Sequence, residues 1–228
     1  VYENDADLVC NICGYERTIE DLPGDAGAVS KDVEKDEKAP DTTLSNSEEE
    51  LADIILTDEE KAQVENGTDI KFILDVKDAA DTVSSGDKAV VQAALDGNNE
   101  VKGFAVGQYL DISIFKVIGT DRSAIFQTER KLTIVIDVPD SLKSKDSEKP
   151  RTYAIIRVHE GVAETLTDLD HDPDTITIAS DRFSSYVVVY KEAGSGAITP
   201  GPTPYGGNKP VATPEVGDNP TASPDSGD

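Results

Sequence analysis

Apolar and polar residues alternate along most of the middle of the chain, and this alternation predicts β-strands. Residues 70–76 place Ile, Phe, Leu and Val at every second position. Residues 132–138 repeat the pattern and stop before Pro139, which cannot donate a hydrogen bond to a neighbouring strand. Stretches rich in Val, Ile, Thr, Tyr or Phe predict further strands at 108–117, 122–128, 151–159, 162–168, 174–180 and 184–191.

Two short helices interrupt the predicted strands. Thr57 and Glu60 have the spacing of a capping box, so a helix should begin there and end at Asn66-Gly67. A second helix is predicted from about Asp87 to Gly97. Many short strands at close spacing, without repeated βαβ alternation, favour two packed antiparallel sheets. We therefore predict an all-β, immunoglobulin-like antiparallel β-sandwich with one or two short helices.

Composition divides the chain into four zones. Residues 51–192 carry nearly all the large apolar side chains and form the predicted β-sandwich domain. Residues 25–50 are charged and almost free of large apolar residues, so we interpret them as a disordered acidic, polar linker. Residues 193–228 contain seven Pro, seven Gly and seven Ser or Thr, which predicts a disordered, polyproline-like stalk. Residues 1–24 hold both cysteines.

The charge of the chain restricts its partners. Its 228 residues include 46 acidic and 21 basic side chains, for a formal net charge of −25. Such a surface repels phosphate groups, so we expect no binding to nucleic acid or anionic membranes. The sequence has no apolar run near the roughly 18 residues of a membrane-spanning helix, so no membrane insertion is expected. Methionine is absent even at position 1, and we expect a fragment, a processed product or a piece made for expression.

Several segments resemble a family of extracellular proteins. The segments are 107–113 (GQYLDIS), 151–159 (RTYAIIRVH) and 175–186, which contains TITI and DRFSSY. They resemble the membrane-proximal or C-terminal β-sandwich of multimodular cell-surface proteins from clostridia-like Gram-positive bacteria. Residues 1–24 resemble the end of a CxxCG-type repeat in the same proteins, and 193–228 resemble their Pro-rich, wall-proximal stalk. The resemblance implies an extracellular location, at the cell surface or cell wall.

The order of the zones and the resemblance together indicate a non-catalytic structural or spacer module of a secreted, cell-wall-associated protein. Its partners would be the neighbouring domains of the parent protein, with cell-wall peptidoglycan or host or plant glycans as further candidates. The alternative is a carbohydrate-binding or adhesion module, which would stack sugars on exposed aromatic rings. The chain has no Trp, and core or half-buried packing is expected for its strand tyrosines, Tyr109, Tyr153, Tyr186 and Tyr190.

Cys10 and Cys13 are the candidate metal ligands. A Cys-x-x-Cys pair followed by Gly is half of a tetrahedral zinc site. The histidines, His159 and His171, lie about 150 residues away in the sandwich zone. An upstream Cys or His of the intact parent would have to complete a zinc site. An inert reduced pair and a disulfide are the alternatives. We expect no other cofactor.

The remaining motifs do not indicate an enzyme. The sequence lacks a Gly-x-Ser-x-Gly elbow, a phosphate loop and a dinucleotide fingerprint. Residues 168–174 place carboxylates at every second position, but Pro173 and Ala179 stand where a calcium loop needs Gly and Glu. A solvated acidic turn is the favoured interpretation, with weak calcium binding as the alternative.

Phe183-Ser184 resembles the cleavage point of self-cleaving β-sandwiches in some animal receptors, which cut a His-Phe-Ser tripeptide. Arg182 replaces the histidine here, and a guanidinium cannot accept the hydroxyl proton. His159 or His171 would have to lie within about 3 Å of the Ser184 hydroxyl to take that role. We therefore predict that the Phe183–Ser184 bond stays intact.

Overall fold

The computed structural model describes residues 9, 10, 12, 13, 26–146 and 148–193. The chain divides into two compact units, Val1–Gly196 and Ala197–Asp228, and all described residues belong to the first. The predicted repeat fragment at 1–24 lies mostly outside the described residues. The predicted stalk lies outside them from residue 194 onward.

The described residues form ten strands and three helices. All eight predicted strands and both predicted helices are present, although the strand predicted at 122–128 is broken at Phe126. In chain order the elements are β1 (Val29–Lys35), β2 (Thr42–Leu44), α1 (Glu48–Ile55), α2 (Asp58–Glu65), β3 (Ile70–Asp78), α3 (Ser85–Gly97), β4 (Ala105–Ile118), β5 (Asp121–Ile125), β6 (Gln127–Asp137), β7 (Arg151–His159), β8 (Val162–Thr167), β9 (Thr175–Arg182) and β10 (Ser185–Glu192).

Two sheets pack against each other across the main hydrophobic core. The larger has the order β1-β3-β4-β10-β7-β8, with β5 paired to β4, and the smaller has the order β2-β6-β9. Alternate side chains of each sheet are withdrawn from water into this core. Phe72, Leu74, Ile112, Ile134 and Ile178 are among those fully buried. The predicted β-sandwich is therefore confirmed.

A helix covers the outer face of the larger sheet at its centre. Val91 and Leu95 of α3 pack in a second core against Ile156 of β7 and against Val187 and Val189 of β10. Both faces of β7 and β10 are therefore buried. Because both faces are buried, β7 and β10 consist of nearly continuous apolar residues and do not alternate strictly between apolar and polar positions.

The prediction that residues 25–50 form a linker is wrong. β1, β2 and α1 lie in this range, and both strands are paired within the two sheets. β1 is an edge strand that carries few apolar residues. Its Lys31 ammonium donates instead to the carbonyls of Leu44 at 2.9 Å and Asn46 at 2.6 Å. The domain therefore includes residues before 51, among them β1, β2 and α1.

One strand pair departs from the predicted antiparallel arrangement. β1 runs parallel to β3, with Val29 opposite Ile70 and Lys35 opposite Val76. A parallel pair needs a long crossover, and residues 36–69 provide it through β2, α1 and α2. The other seven strand pairs within the described residues are antiparallel.

Candidate functional site

The chain crosses between the two sheets at two neighbouring points. Phe126 connects β5 to β6, and Phe183-Ser184 connects β9 to β10. The Phe183 amide donates to the Phe126 carbonyl at 3.1 Å, so the two crossings lie side by side. Along β4, pairing with β10 ends at Asp111, and pairing with β5 begins at Ile114. A gap therefore opens in the larger sheet where β5 and β10 diverge.

This gap is a notch of about 370 Å³, which we call the crossover notch. It combines one exposed aromatic ring with carboxylates, hydroxyls and an imidazole, contributed by β4, both crossings and the end of β7. Its polar and aromatic lining includes Asp111, Ser113, Phe126, His159, Glu160 and Ser184.

The notch lining holds three serine hydroxyls, and two of them already donate hydrogen bonds within the protein. Ser113 donates to Asp111 at 3.2 Å, and Ser184 donates to the backbone carbonyl of Val158 at 2.5 Å. The oxygen of each hydroxyl keeps lone pairs that can accept a further hydrogen bond. His159 Nδ1 is buried and has no hydrogen-bond partner.

A tight turn places Glu160 at the rim of the notch. Glu160 and Gly161 connect β7 to β8, and both have left-handed backbone angles, with φ of 51° and 75°. This is the conformation of a two-residue hairpin turn, which usually takes Gly, Asn or Asp. Glu160 is a departure from that preference, and its side chain is exposed beside the notch.

The structure brings His159 and Ser184 to the same notch, whereas His171 lies elsewhere. Even so, we expect the Phe183–Ser184 bond to stay intact, because the Ser184 hydroxyl donates to the Val158 carbonyl and not to a base. Intact-mass spectrometry after long incubation should find only the full chain. A fragment beginning at Ser184, abolished by Ser184→Ala but not by Ser185→Ala, would contradict this prediction.

Next to the notch, a buried arginine connects the two sheets. The side chain of Arg157 on β7 is only 3% exposed, and its guanidinium donates to Ser180 and Asp181 of β9, both at 2.8 Å. It also pairs with Glu164 on β8. The hydrogen bond from Arg157 lowers the pKa of Asp181. Burial raises the pKa of the neighbouring Tyr186 to about 12.

The cysteine pair stays apart from the crossover notch lining. Cys10 is buried and Cys13 is exposed, and the two are not joined in a disulfide. Among the described residues, no group of three or more His, Cys, Asp or Glu side chains is placed to hold a metal ion. The zinc half-site at Cys10 and Cys13 remains a prediction about the intact parent.

The acidic turn at 168–174 is held by its own hydrogen bonds. Asp168 accepts from the Thr177 amide at 3.0 Å, and Asp170 accepts from the Thr177 hydroxyl at 2.5 Å. The hydrogen bond from Thr177 lowers the pKa of Asp170, whereas burial raises the pKa of Asp168. His171 lies in this turn with a φ of 59°, away from the notch lining. These carboxylates act as acceptors that stabilise the turn between β8 and β9.

The strand tyrosines do not form an exposed aromatic face of the kind on which sugars stack. Tyr153 and Tyr186 are buried. Tyr109 and Tyr190 are half-buried, under Lys88 at 5.7 Å and Arg151 at 4.3 Å respectively. Among the described residues, Phe126 is the aromatic residue with a largely exposed ring, at 70% exposure, and it lies within the strand predicted at 122–128. Its crossing of the two sheets is a tertiary feature that alternation does not signal.

Comparison with known proteins supports the fold. A family model described as SMCHD1 Ig-like domain 4 matches residues 54–118, from the end of α1 through β4. No curated protein and no solved structure matches the chain. Together with the two packed sheets, the match supports an immunoglobulin-like β-sandwich. No described helix is both long and apolar enough to cross a membrane.

Proposed function

We propose that this domain is a non-catalytic supporting module that spaces its neighbours in a secreted, cell-wall-associated bacterial surface protein. An immunoglobulin-like β-sandwich is typically non-catalytic, which fits this role. The main support is the direction in which the chain passes through the larger sheet.

The chain enters and leaves the larger sheet at opposite ends. β1 is parallel to β3, and β4 is antiparallel to both β3 and β10, so β1 and β10 run in the same direction. Val29, the first residue of β1, is paired with Ile70 of β3, and Ile70 is paired with Ile118 at the end of β4. Near the other end, Tyr190 of β10 is paired with Ala105. The position of Val29 beside Ile118 and the position of Tyr190 beside Ala105 are therefore separated by the length of β4, which is about 40 Å at the rise of an extended strand.

This geometry suits a spacer. A domain whose two ends lie at opposite poles adds its full length to a series of domains, whereas adjacent ends would fold the series back. The charge of −25 also favours a solvated, extended arrangement, because like-charged surfaces repel. The proposal therefore assigns the domain the task of holding upstream domains at a distance.

A domain swap in a surface-displayed parent protein tests the proposal. We expect deletion of residues 26–193 to reduce antibody access to a tag on the nearest upstream domain. An unrelated β-sandwich with its ends at opposite poles should restore access, and one with adjacent ends should not. Surface expression of each variant is quantified as the control.

Two results would contradict the spacer. One is failure of the opposite-ended sandwich to restore access at equal expression, which would show that the surface of this domain is needed. The other is reproducible micromolar binding of the purified chain on a glycan array, which would favour the carbohydrate-binding alternative.

A further inference from the structure

The crossover notch combines an exposed aromatic ring with carboxylates and hydroxyls, and the proposed spacer function does not require this combination. Phe126 is 70% exposed, whereas Phe183 on the adjacent crossing is 3% exposed and belongs to the core. A phenyl ring left in water gives up the stabilisation that burial would provide. A polar residue would serve at this exposed crossing without that loss. The exposed ring therefore offers a contact surface that the fold itself does not use.

Hydrogen-bond acceptors outnumber free donors in the notch, where the Ser185 hydroxyl and the His159 ring are the lining groups that can still donate. Asp111 and Glu160 contribute carboxylates, and in the described part of the chain neither forms an ion pair. The hydroxyl hydrogens of Ser113 and Ser184 are already donated within the protein. The Lys77 ammonium, which lies across the strands from Asp111, donates a hydrogen bond to the Asp75 carboxylate at 2.6 Å and also attracts the charge of Asp111. A ligand that supplies donors therefore matches most of the polar groups of this site.

From this arrangement we propose that the crossover notch binds an organic cation, a guanidinium or ammonium group carried on an alkyl chain. Such groups are donors only, so they match the acceptors of the notch. Their positive charge is attracted by the two carboxylates and by the face of the Phe126 ring. The volume of about 370 Å³ lies at the lower end of the range for small-ligand sites, which suits one side chain or a small amine.

Other ligand classes fit the notch less well. Anions are repelled by Asp111 and Glu160 and by the net charge of the chain. A neutral sugar can donate its hydroxyl hydrogens to these carboxylates, but it lacks the charge attraction that a cation adds. A bare metal ion would need several ligands at close range, and no group of three or more His, Cys, Asp or Glu among the described residues provides them. The cation proposal is independent of the spacer, because a spacer with an empty notch would still separate its neighbours.

Backbone amide NMR titration of the full chain tests this inference. The probes are N-acetyl-argininamide, its neutral isostere N-acetyl-citrullinamide, 1,5-diaminopentane and cellobiose. We expect millimolar binding of N-acetyl-argininamide, with shifts concentrated at 111–113, 124–126 and 159–161. The citrulline probe should bind at least tenfold more weakly. Comparable binding of the diamine would identify free amines as a source of the cation. Stronger binding of the arginine probe would identify a protein side chain.

Variants separate a built site from general charge attraction. Phe126→Ala and the double variant Asp111→Asn with Glu160→Gln should each weaken binding at least fivefold. These side chains are exposed, so the amide spectrum should otherwise stay that of the folded protein. Leu169→Ala and Asp172→Asn, an exposed apolar and an exposed acidic residue in the acidic turn, are the matched controls and should leave binding unchanged. Shifts spread over the acidic surface, equal binding of the citrulline probe, or preferential binding of cellobiose would overturn the inference.

Discussion

Replacing Arg157 with alanine is expected to lower the free energy of unfolding by about 2–4 kcal/mol, through lost packing and lost hydrogen bonds. The guanidinium is buried between the sheets, where it holds Ser180 and Asp181 of β9 and Glu164 of β8. Truncation removes these bonds and leaves a cavity in the sandwich. Urea unfolding followed by circular dichroism measures the change.

The matched control is Arg182→Ala. Arg182 is an exposed arginine in β9 whose backbone carbonyl accepts from the Tyr186 hydroxyl, a bond that the substitution keeps. We expect its replacement to change stability by no more than about 0.5 kcal/mol. Arg157→Met should lose less stability than Arg157→Ala, because the methionine side chain fills most of the space that the arginine leaves. Glu164 and Asp181 are 45% and 29% exposed, so water can reach them. Equal effects of Arg157→Ala and Arg182→Ala would contradict the bridging role.

The effect of Arg157→Ala should also depend on pH. The hydrogen bond from Arg157 lowers the pKa of Asp181 below the ordinary 3.8, so this pairing stabilises the fold above about pH 4. As the pH falls through the lowered pKa, Asp181 takes up a proton and the stabilisation is lost. The stability difference between the wild-type chain and Arg157→Ala should therefore narrow below pH 4. A constant difference would show that packing alone is responsible.

The sequence predicted the elements whose signals are local. Alternation located β3 and β6, and the capping box at Thr57 and Glu60 located α2, where both capping hydrogen bonds are present. The same box at Ser47 and Glu50 opens α1, but the charged surroundings led to a linker interpretation. Composition failed there because an edge strand can be held by its backbone and by Lys31 instead of by apolar side chains.

The candidate site was less predictable because it depends on pairing between distant segments. The crossover notch forms where two strands leave one sheet for the other, and its lining comes from segments near residues 111, 126, 160 and 184. The sequence identifies His159 and Ser184 as candidate reactive residues, but their proximity depends on the antiparallel register of β7 and β10. The role of Arg157 could not be predicted, because the sequence of an apolar strand does not show which distant residues accept hydrogen bonds from an arginine within it.

Gly27 is the residue that most directly tests whether β1 belongs to the domain. A Cβ atom at this position would lie 2.2 Å from the Thr68 carbonyl oxygen and 2.4 Å from its carbon, which is impossible without moving backbone. The close approach is fixed by hydrogen bonds on either side. The Gly27 amide donates to the Val64 carbonyl at 2.7 Å, and the Ile70 amide donates to the Ala28 carbonyl at 2.9 Å.

Gly27→Ala should therefore destabilise the domain by about 2–3 kcal/mol, because the start of β1 must move away and give up two or three hydrogen bonds. Gly97→Ala is the control: no atom lies within 4 Å of the added carbon, and alanine favours the helix by up to about 1 kcal/mol. Urea unfolding measures both variants, and limited proteolysis should cleave the 26–35 segment faster in Gly27→Ala alone. If the two variants were equally stable and equally resistant, residues 25–50 would behave as the linker that composition predicted.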